Sequence, residues 1–297
     1  MFESYKVRAA AWLRRQLDAS PHFKSVTRHA SLGEPAIAAK IYPGSAADCS
    51  WLPNPGALPA GTEPDKMPVP PMEFWEGYGR EPAQYLGSGR GHVADMLALL
   101  AGDGFPIEKT QRVLDFGCSA GRMLRWLAPY AEGRELWGVD IGSGPIHWAT
   151  LHLSPPLRFA TTTTAPHLPF EQDSFDLIYS GSVFSHITDL ADAWLLELRR
   201  ILKPGGVMYL TIHDKNSLRL LLNVHQTKLA RWLRRENEKH QFSQENFSKL
   251  VLAQTPKGAQ TFYDIDYLRR VWGQHVEFVV VHPEAYGYQT ALVLRKR

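Results

Sequence analysis

Residues 113–127 read VLDFGCSAGRMLRWL. The apolar β-type run RVLDF, residues 112–116, enters a turn of small residues, Gly117-Cys118-Ser119-Ala120-Gly121, and a helical pattern follows from Arg122 until Pro129 stops it. Glycines at such a junction let backbone approach a ligand closely, and a new helix offers free N–H groups and a positive dipole end. Nineteen residues past Gly121 stands Asp140, at the end of the next apolar run, ELWGVDI at 135–141. An acid at that place accepts the hydroxyls of a ribose. Turn and acid together predict a nucleoside-containing ligand at the switch point of a parallel sheet.

The same turn narrows the ligand. A dinucleotide turn requires G-x-G-x-x-G. Counting from Gly117, the second and third glycine positions hold Ser119 and Arg122, which argues against NAD and FAD. No G-x-x-x-x-G-K-[ST] loop occurs in the chain. What fits is D-x-G-x-[GS]-x-G, in which Asp115 precedes the turn and can meet a cationic amine.

Around this segment strands and helices alternate. Residues 92–100 (HVADMLALL), 146–153 and 189–202 (DLADAWLLELRRIL) carry helical spacing, while 175–180 (FDLIYS) and 207–212 (VMYLTI) read as strands. Short apolar strands alternating with helices imply βαβ units and a parallel sheet covered on both faces. Residues 276–281 and 290–294 are two further strand signals, joined by a connector with Pro283 and Gly287 that suits an antiparallel hairpin. Between them and 207–212, residues 214–262 break the rhythm with a helical pattern rich in Lys and Arg. At the other end, eight of the 21 prolines fall between Pro43 and Pro71. Proline admits neither helix interior nor central strand there. Residues 1–72 are therefore expected to be an added arm, with a small amphipathic helix over 3–18, and residues 73–297 the main domain.

The balance of 33 Lys+Arg against 30 Asp+Glu leaves +3, without the cationic excess of a dedicated nucleic-acid binder. Two cysteines, Cys49 and Cys118, make no disulfide framework. No run is long enough to span a membrane, and no apolar secretory leader is visible, so a cytoplasmic protein is expected.

Four blocks in order, VLDFGCSAGR, WGVDI, LPFEQDSFDLIYSGSVFSHI and ELRRILKPGGVMYLTI, make the sequence similar to class I S-adenosylmethionine-dependent methyltransferases. The resemblance covers residues 74–212 well and 262–297 more loosely. It implies an α/β, Rossmann-like seven-stranded, mostly parallel sheet with helices on both faces. It also implies a C-terminal antiparallel hairpin. Residues 214–262, inserted before the last two strands, are read by their position as a helical lid, with a solvated basic helical face as the alternative. S-adenosylmethionine is the implied cofactor. Asp115 would lie near its methionyl amine, and the backbone of Gly117, Cys118, Ser119 and Gly121 would wrap the amino-acid part. Asp140 would hold the ribose, with Ile141 beside the adenine. Thr164 stands where many relatives carry an acid for the adenine amino group, which leaves the Ala165 N–H as the adenine donor. Ser180 ends the FDLIYS strand and is assigned to the same site. Tyr78 and Arg90, in a glycine-rich stretch with Gly91, belong to a region that often closes over the cofactor; a surface loop with a solvated Arg is the equal alternative. For Cys118 a small residue tolerated in a tight turn is preferred to a reactive thiol.

Methyl transfer from a sulfonium is an in-line displacement governed by orientation, and a hydroxyl acceptor additionally needs a base. His186 and His213 follow the carboxyl ends of two strands, where ligands bind in open α/β sheets, and are the candidate catalytic residues. Asp214 and Asn216 lack a third acid at a matching place, so no metal is predicted. The leading expectation is methylation of a small-molecule acceptor, on oxygen, with no nucleic-acid partner and no oligomeric state specified. A nucleic-acid or protein methyltransferase, or a catalytically silent cofactor-binding scaffold, is the alternative. Against the first stands Ser180-Gly-Ser-Val-Phe184 in place of a [DNS]-P-P-[YFW] motif.

Overall fold

The computed structural model describes residues 63–255 and 258–297. The helix expected over 3–18 and most of the proline-rich stretch lie outside the described residues.

Five strands run parallel in the order β3 (Arg158–Thr161), β2 (Glu135–Asp140), β1 (Arg112–Phe116), β4 (Phe175–Ser180) and β5 (Leu202–Asp214). Antiparallel to β5 lies β9 (Gln289–Arg295), and β8 (Glu277–Tyr286) pairs with β9 as the C-terminal hairpin. These are the seven expected strands. The shortest, β3, follows Pro155-Pro156 and lies outside the strand runs read from the residues alone.

Side-chain alternation along β5 shows why both faces are covered. Val207 and Tyr209 enter one core, with Val93 and Met96 of α1 (Pro82–Gly102) and Ile146 and Leu153 of α2 (Ser143–Leu153). Met208, Leu210 and Ile212 enter the other, with Trp194, Leu195, Leu198 and Ile201 of α3 (Ala191–Ile201) and Leu268 and Trp272 of α6 (Ile265–Trp272). Period-two burial on a doubly covered strand gives the near-continuous apolar run seen in the sequence.

Three local expectations change. The segment after the glycine turn is a seven-residue 3-10 helix, Leu124–Tyr130, with Pro129 inside it. A proline without N–H opposes a continued α-helix, so the strong helix N-terminus expected at Arg122 is not built. The glycine-rich stretch at 87–91 is not a loop but part of α1. Gly89 is required there by packing: a Cβ would sit 2.3 Å from the Arg122 carbonyl oxygen. Helix propensity loses to this close approach.

The inserted region is also more than helical. After α4 (Lys215–Asn223) and α5 (Lys228–His240) come strands β6 (Lys249–Thr255) and β7 (Gly258–Tyr263), an antiparallel pair. β7 runs parallel to the end of β5, with His213 opposite Phe262 and Asp214 opposite Tyr263. The insertion has its own small core, in which Leu218, Leu221, Ala230, Leu233 and Phe262 are buried.

Arg125 ties the N-terminal side of the domain down. Its side chain is 0% exposed and donates to the carbonyls of Pro64, Met67 and Pro68. Downstream of that clamp, Trp75 stacks on Tyr85 at 5.2 Å, and the Phe74 carbonyl accepts from the Ser119 hydroxyl at 3.3 Å. The chain thus crosses the glycine turn before entering α1.

Candidate active site

The turn after β1 is fixed from β2. Gly117 and Cys118 donate their N–H groups to the Val139 carbonyl at 2.8 and 3.1 Å. One Asp140 carboxylate oxygen accepts the Ser119 N–H at 2.8 Å, and the other accepts the Gly142 N–H at 2.8 Å. Ser119 is held at φ +48° and Gly117 at φ +84°. At Gly117 a Cβ would lie 2.2 Å from Val183 Cγ2, so only glycine fits. Cys118 is buried in the core, and its sulfur approaches Gly138 so closely that a Cβ there would be 2.7 Å away. Burial pushes its thiol pKa up, which suits a packing residue and opposes a reactive thiolate.

Asp115 lies one residue before the end of β1, in the interior. Burial pushes its carboxyl pKa from 3.8 to about 7, against the lowering effect of its neighbours Tyr179 and Arg122. Tyr179 is its register partner on β4. A carboxyl so desolvated is stabilised in its ionised form by an incoming cation.

Beyond the carboxyl ends of β4 and β5 opens a cleft of about 340 Å³ whose lining includes Tyr78, His92, Ser182, His186, His213, Gln260 and Tyr286. Both histidines singled out in the sequence meet here, although their settings differ. His186 is exposed, and its Nδ1 lies 2.9 Å from the Ala259 carbonyl oxygen. A carbonyl only accepts, so in the neutral tautomer that makes this bond Nδ1 carries the proton and Nε2 the lone pair; Gln260 Nε2 lies 3.4 Å from the same nitrogen. His213 is 1% exposed, stacks on Phe262 at 4.9 Å, and has no hydrogen-bond partner at either nitrogen among the described residues. Burial, with His186 nearby, lowers its pKa from 6.5 to about 3, so it stays neutral. Leu229 of α5 and Gln260 of β7 complete this side, so the insertion forms part of the cleft wall.

The lining also includes His92 and Tyr286, which the sequence does not single out, and Arg122 contacts both. Arg122 directly follows Gly121 and is 7% exposed. It donates to the Tyr286 hydroxyl and lies 3.1 Å from His92 Nδ1, with its guanidinium 3.7 Å from the Tyr78 ring centroid. The Tyr286 hydroxyl donates to that of Tyr78 at 3.0 Å. Only Arg122 had a local signal, its place beside the turn; His92 and Tyr286 lie far apart in sequence.

Other expected residues have different surroundings. Arg90 is exposed on α1, 5.7 Å over Trp126, and is not among the cleft-lining residues. Arg90 thus sits on a helix where a loop was expected. The Ala165 N–H donates to Thr163 Oγ1 at 3.3 Å on an exposed segment, and the Ser180 hydroxyl donates to the Phe116 carbonyl at 3.0 Å, locking β4 to β1. Ile141 is half-buried, directly after Asp140. Asp214 caps α4, taking the Ser217 N–H at 2.8 Å and the Thr290 hydroxyl at 2.8 Å.

A parallel sheet with a close backbone turn after β1 and an oriented acid ending β2 defines a Rossmann-like nucleoside-binding protein. A family model described as "Methyltransferase domain" matches residues 86–282. The chain belongs to this family, that of the class I S-adenosylmethionine-dependent methyltransferase domains. It is 33% identical over 153 residues to the malonyl-[acyl-carrier protein] O-methyltransferase of Salmonella typhimurium, covering 48% of this chain and 53% of that protein. To the ubiquinone biosynthesis O-methyltransferase of Aeromonas salmonicida it is 25% identical over 117 residues, 38% of this chain and 48% of that one. The chain thus spans about half the length of these curated relatives. An S-adenosylmethionine-dependent methyltransferase from Clostridium acetobutylicum shares the fold, at TM-score 0.50 and 12% identity, over 69% of this chain and 91% of that one. The residues present fit the cofactor: a desolvated acid for the ammonium, an oriented acid for the ribose, and a turn that excludes a Cβ.

Proposed function

We propose that this chain methylates an oxygen of a small-molecule acceptor held in the cleft beside Tyr78, His186 and His213, and that it does so in the cytoplasm. When bound, S-adenosylmethionine supplies a methyl group activated on a sulfonium. Asp115 receives the ammonium, which restores its ionised form. The backbone from Gly117 to Gly121, with Cys118 and Ser119, follows the amino-acid part. Asp140 receives the ribose hydroxyls, with Ile141 and the 162–165 segment, Ala165 included, on the adenine side.

The reading of oxygen as the nucleophile rests on one observation: His186 Nδ1 is fixed on the Ala259 carbonyl. That bond orients the ring so that Nε2 takes the proton from an acceptor hydroxyl, the arrangement that general-base catalysis requires. His213, buried and neutral, orients the acceptor by accepting or donating one hydrogen bond. The names of the two curated relatives, both O-methyltransferases, support the same nucleophile. The inserted region acts as a lid, supported by Leu229 and Gln260 in the cleft wall.

Calorimetry with S-adenosylmethionine, followed by labelled methyl transfer into a metabolite extract, tests the proposal. Wild type binds the cofactor and labels a product. His186→Ala should lower turnover about 10²- to 10⁴-fold with cofactor affinity kept. Unchanged turnover in both His186→Ala and His213→Ala would remove these residues from catalysis.

A further inference from the structure

Arg122 is a buried guanidinium whose hydrogen-bond partners, Ser88, His92 and Tyr286, are all neutral. No carboxylate of the described residues forms an ion pair with it. The acid that feels its charge is Asp115, which serves the cofactor turn. A buried cation without an anion is costly, and an arriving oxyanion removes the cost.

The hydrogen-bond directions show where such an anion would sit. Arg122 only donates, so the Tyr286 oxygen accepts from it, and the Tyr286 proton then points to the Tyr78 oxygen. The Tyr78 proton is thereby turned onward. His92 Nδ1 accepts from Arg122, which leaves the His92 proton on Nε2. Tyr78 and His92 line the cleft that also contains His186 and His213. Two polarised donors therefore line the same cleft as the histidines.

We propose that the Arg122–Tyr286–Tyr78 relay, with His92 beside it, is a subsite for a carboxylate on the acceptor. The acceptor is then a hydroxy acid: its carboxylate binds at Tyr78 and His92 while its hydroxyl meets His186. This rests on the methyltransferase reading above. Tyr286 and Arg122 act through Tyr78 and are positioning residues.

The full chain saturated with S-adenosylhomocysteine is titrated calorimetrically with benzoate and with its neutral isostere benzamide. Benzoate should bind at least about tenfold more tightly, as charge-assisted bonds outweigh neutral ones. Tyr78→Phe and Tyr286→Phe should each lose most of that preference, with folding of each variant confirmed by circular dichroism. No benzoate binding, equal binding of the two probes, or a preference that survives both variants overturns the subsite. If Tyr78→Phe instead weakens S-adenosylhomocysteine but not its decarboxylated analogue, the carboxylate is the cofactor's own and the acceptor assignment falls. Failure of wild type to bind S-adenosylhomocysteine would overturn the methyltransferase reading itself, a separate and earlier result.

Discussion

His213 and Phe262 face each other across β5 and β7, and their rings stack at 4.9 Å. One ring lines the cleft and the other belongs to the insertion's own core. The insertion is therefore bonded to the sheet at a residue that shapes the acceptor's surroundings, so its packing and the cleft's shape are coupled.

Phe262→Ala should show that coupling. Loss of a fully buried phenylalanine costs about 3–5 kcal/mol, read as a lower melting temperature. Turnover should fall with it, because His213 loses the ring that orients it. Cofactor affinity, measured calorimetrically on the folded variant, should stay within about twofold. A large loss of cofactor affinity would mean that the insertion supports the glycine turn instead.

Asp115 predicts opposite effects on stability and binding. Its folded pKa of about 7 exceeds the 3.8 of an ordinary Asp. The folded state thus holds the proton more tightly, and stability falls as pH rises from about 4 to 7. Asp115→Asn should remove that fall and stabilise the free protein at pH 8 by a few kcal/mol, since each tenfold change in proton affinity is worth about 1.4 kcal/mol. The same variant should lose S-adenosylhomocysteine binding. In wild type that binding should tighten as pH rises through 7, because the ammonium prefers the ionised carboxyl. Binding independent of pH between 5 and 8 would contradict the assignment.

Gly117→Ala meets two obstacles, a backbone at φ +84° and Val183 Cγ2 at 2.2 Å. Left-handed backbone costs about 1–2 kcal/mol for a residue with a Cβ, and overpacking about 1–3. Denaturant melts should show both in Gly117→Ala. Adding Val183→Ala should recover only the steric part. Full recovery would show that the left-handed turn is unstrained.

Asp140→Asn should harm the turn as well as the ligand site. Both carboxylate oxygens accept backbone N–H groups, from Ser119 and Gly142. An amide keeps one acceptor and aims an NH₂ at the other donor, at a cost of about 1–3 kcal/mol for the unsatisfied group. Thermal unfolding and cofactor calorimetry should therefore both worsen. Weakened binding at an unchanged melting temperature would confine Asp140 to ligand contact.

The core was legible wherever sequence-local chemistry decides structure. The strand into Gly117, the acid ending β2 and the alternating helices all follow from spacing within about 30 residues. The 87–91 glycines misled because their reason, the Arg122 carbonyl packed against Gly89, lies on another element. The β6–β7 pair had a signal, the β-type runs KLVL and QTFY around Pro-Lys-Gly, which the basic helical pattern before it masked. The Arg122–Tyr286 bond joins residues 164 positions apart, and no periodicity encodes such a contact.

The Arg125 clamp has a consequence for how the proline-rich segment can vary. All of its hydrogen-bond acceptors there are backbone oxygens, those of Pro64, Met67 and Pro68. The guanidinium's hydrogen bonds recognise the path of the chain, while the Asp65 carboxylate adds a charge interaction. Prolines suit such recognition, since they present carbonyls without a competing N–H and come with φ already set. The exposed side chains of 64–68 can thus diverge while the anchorage stays the same, with Met67, buried in the core, as the exception.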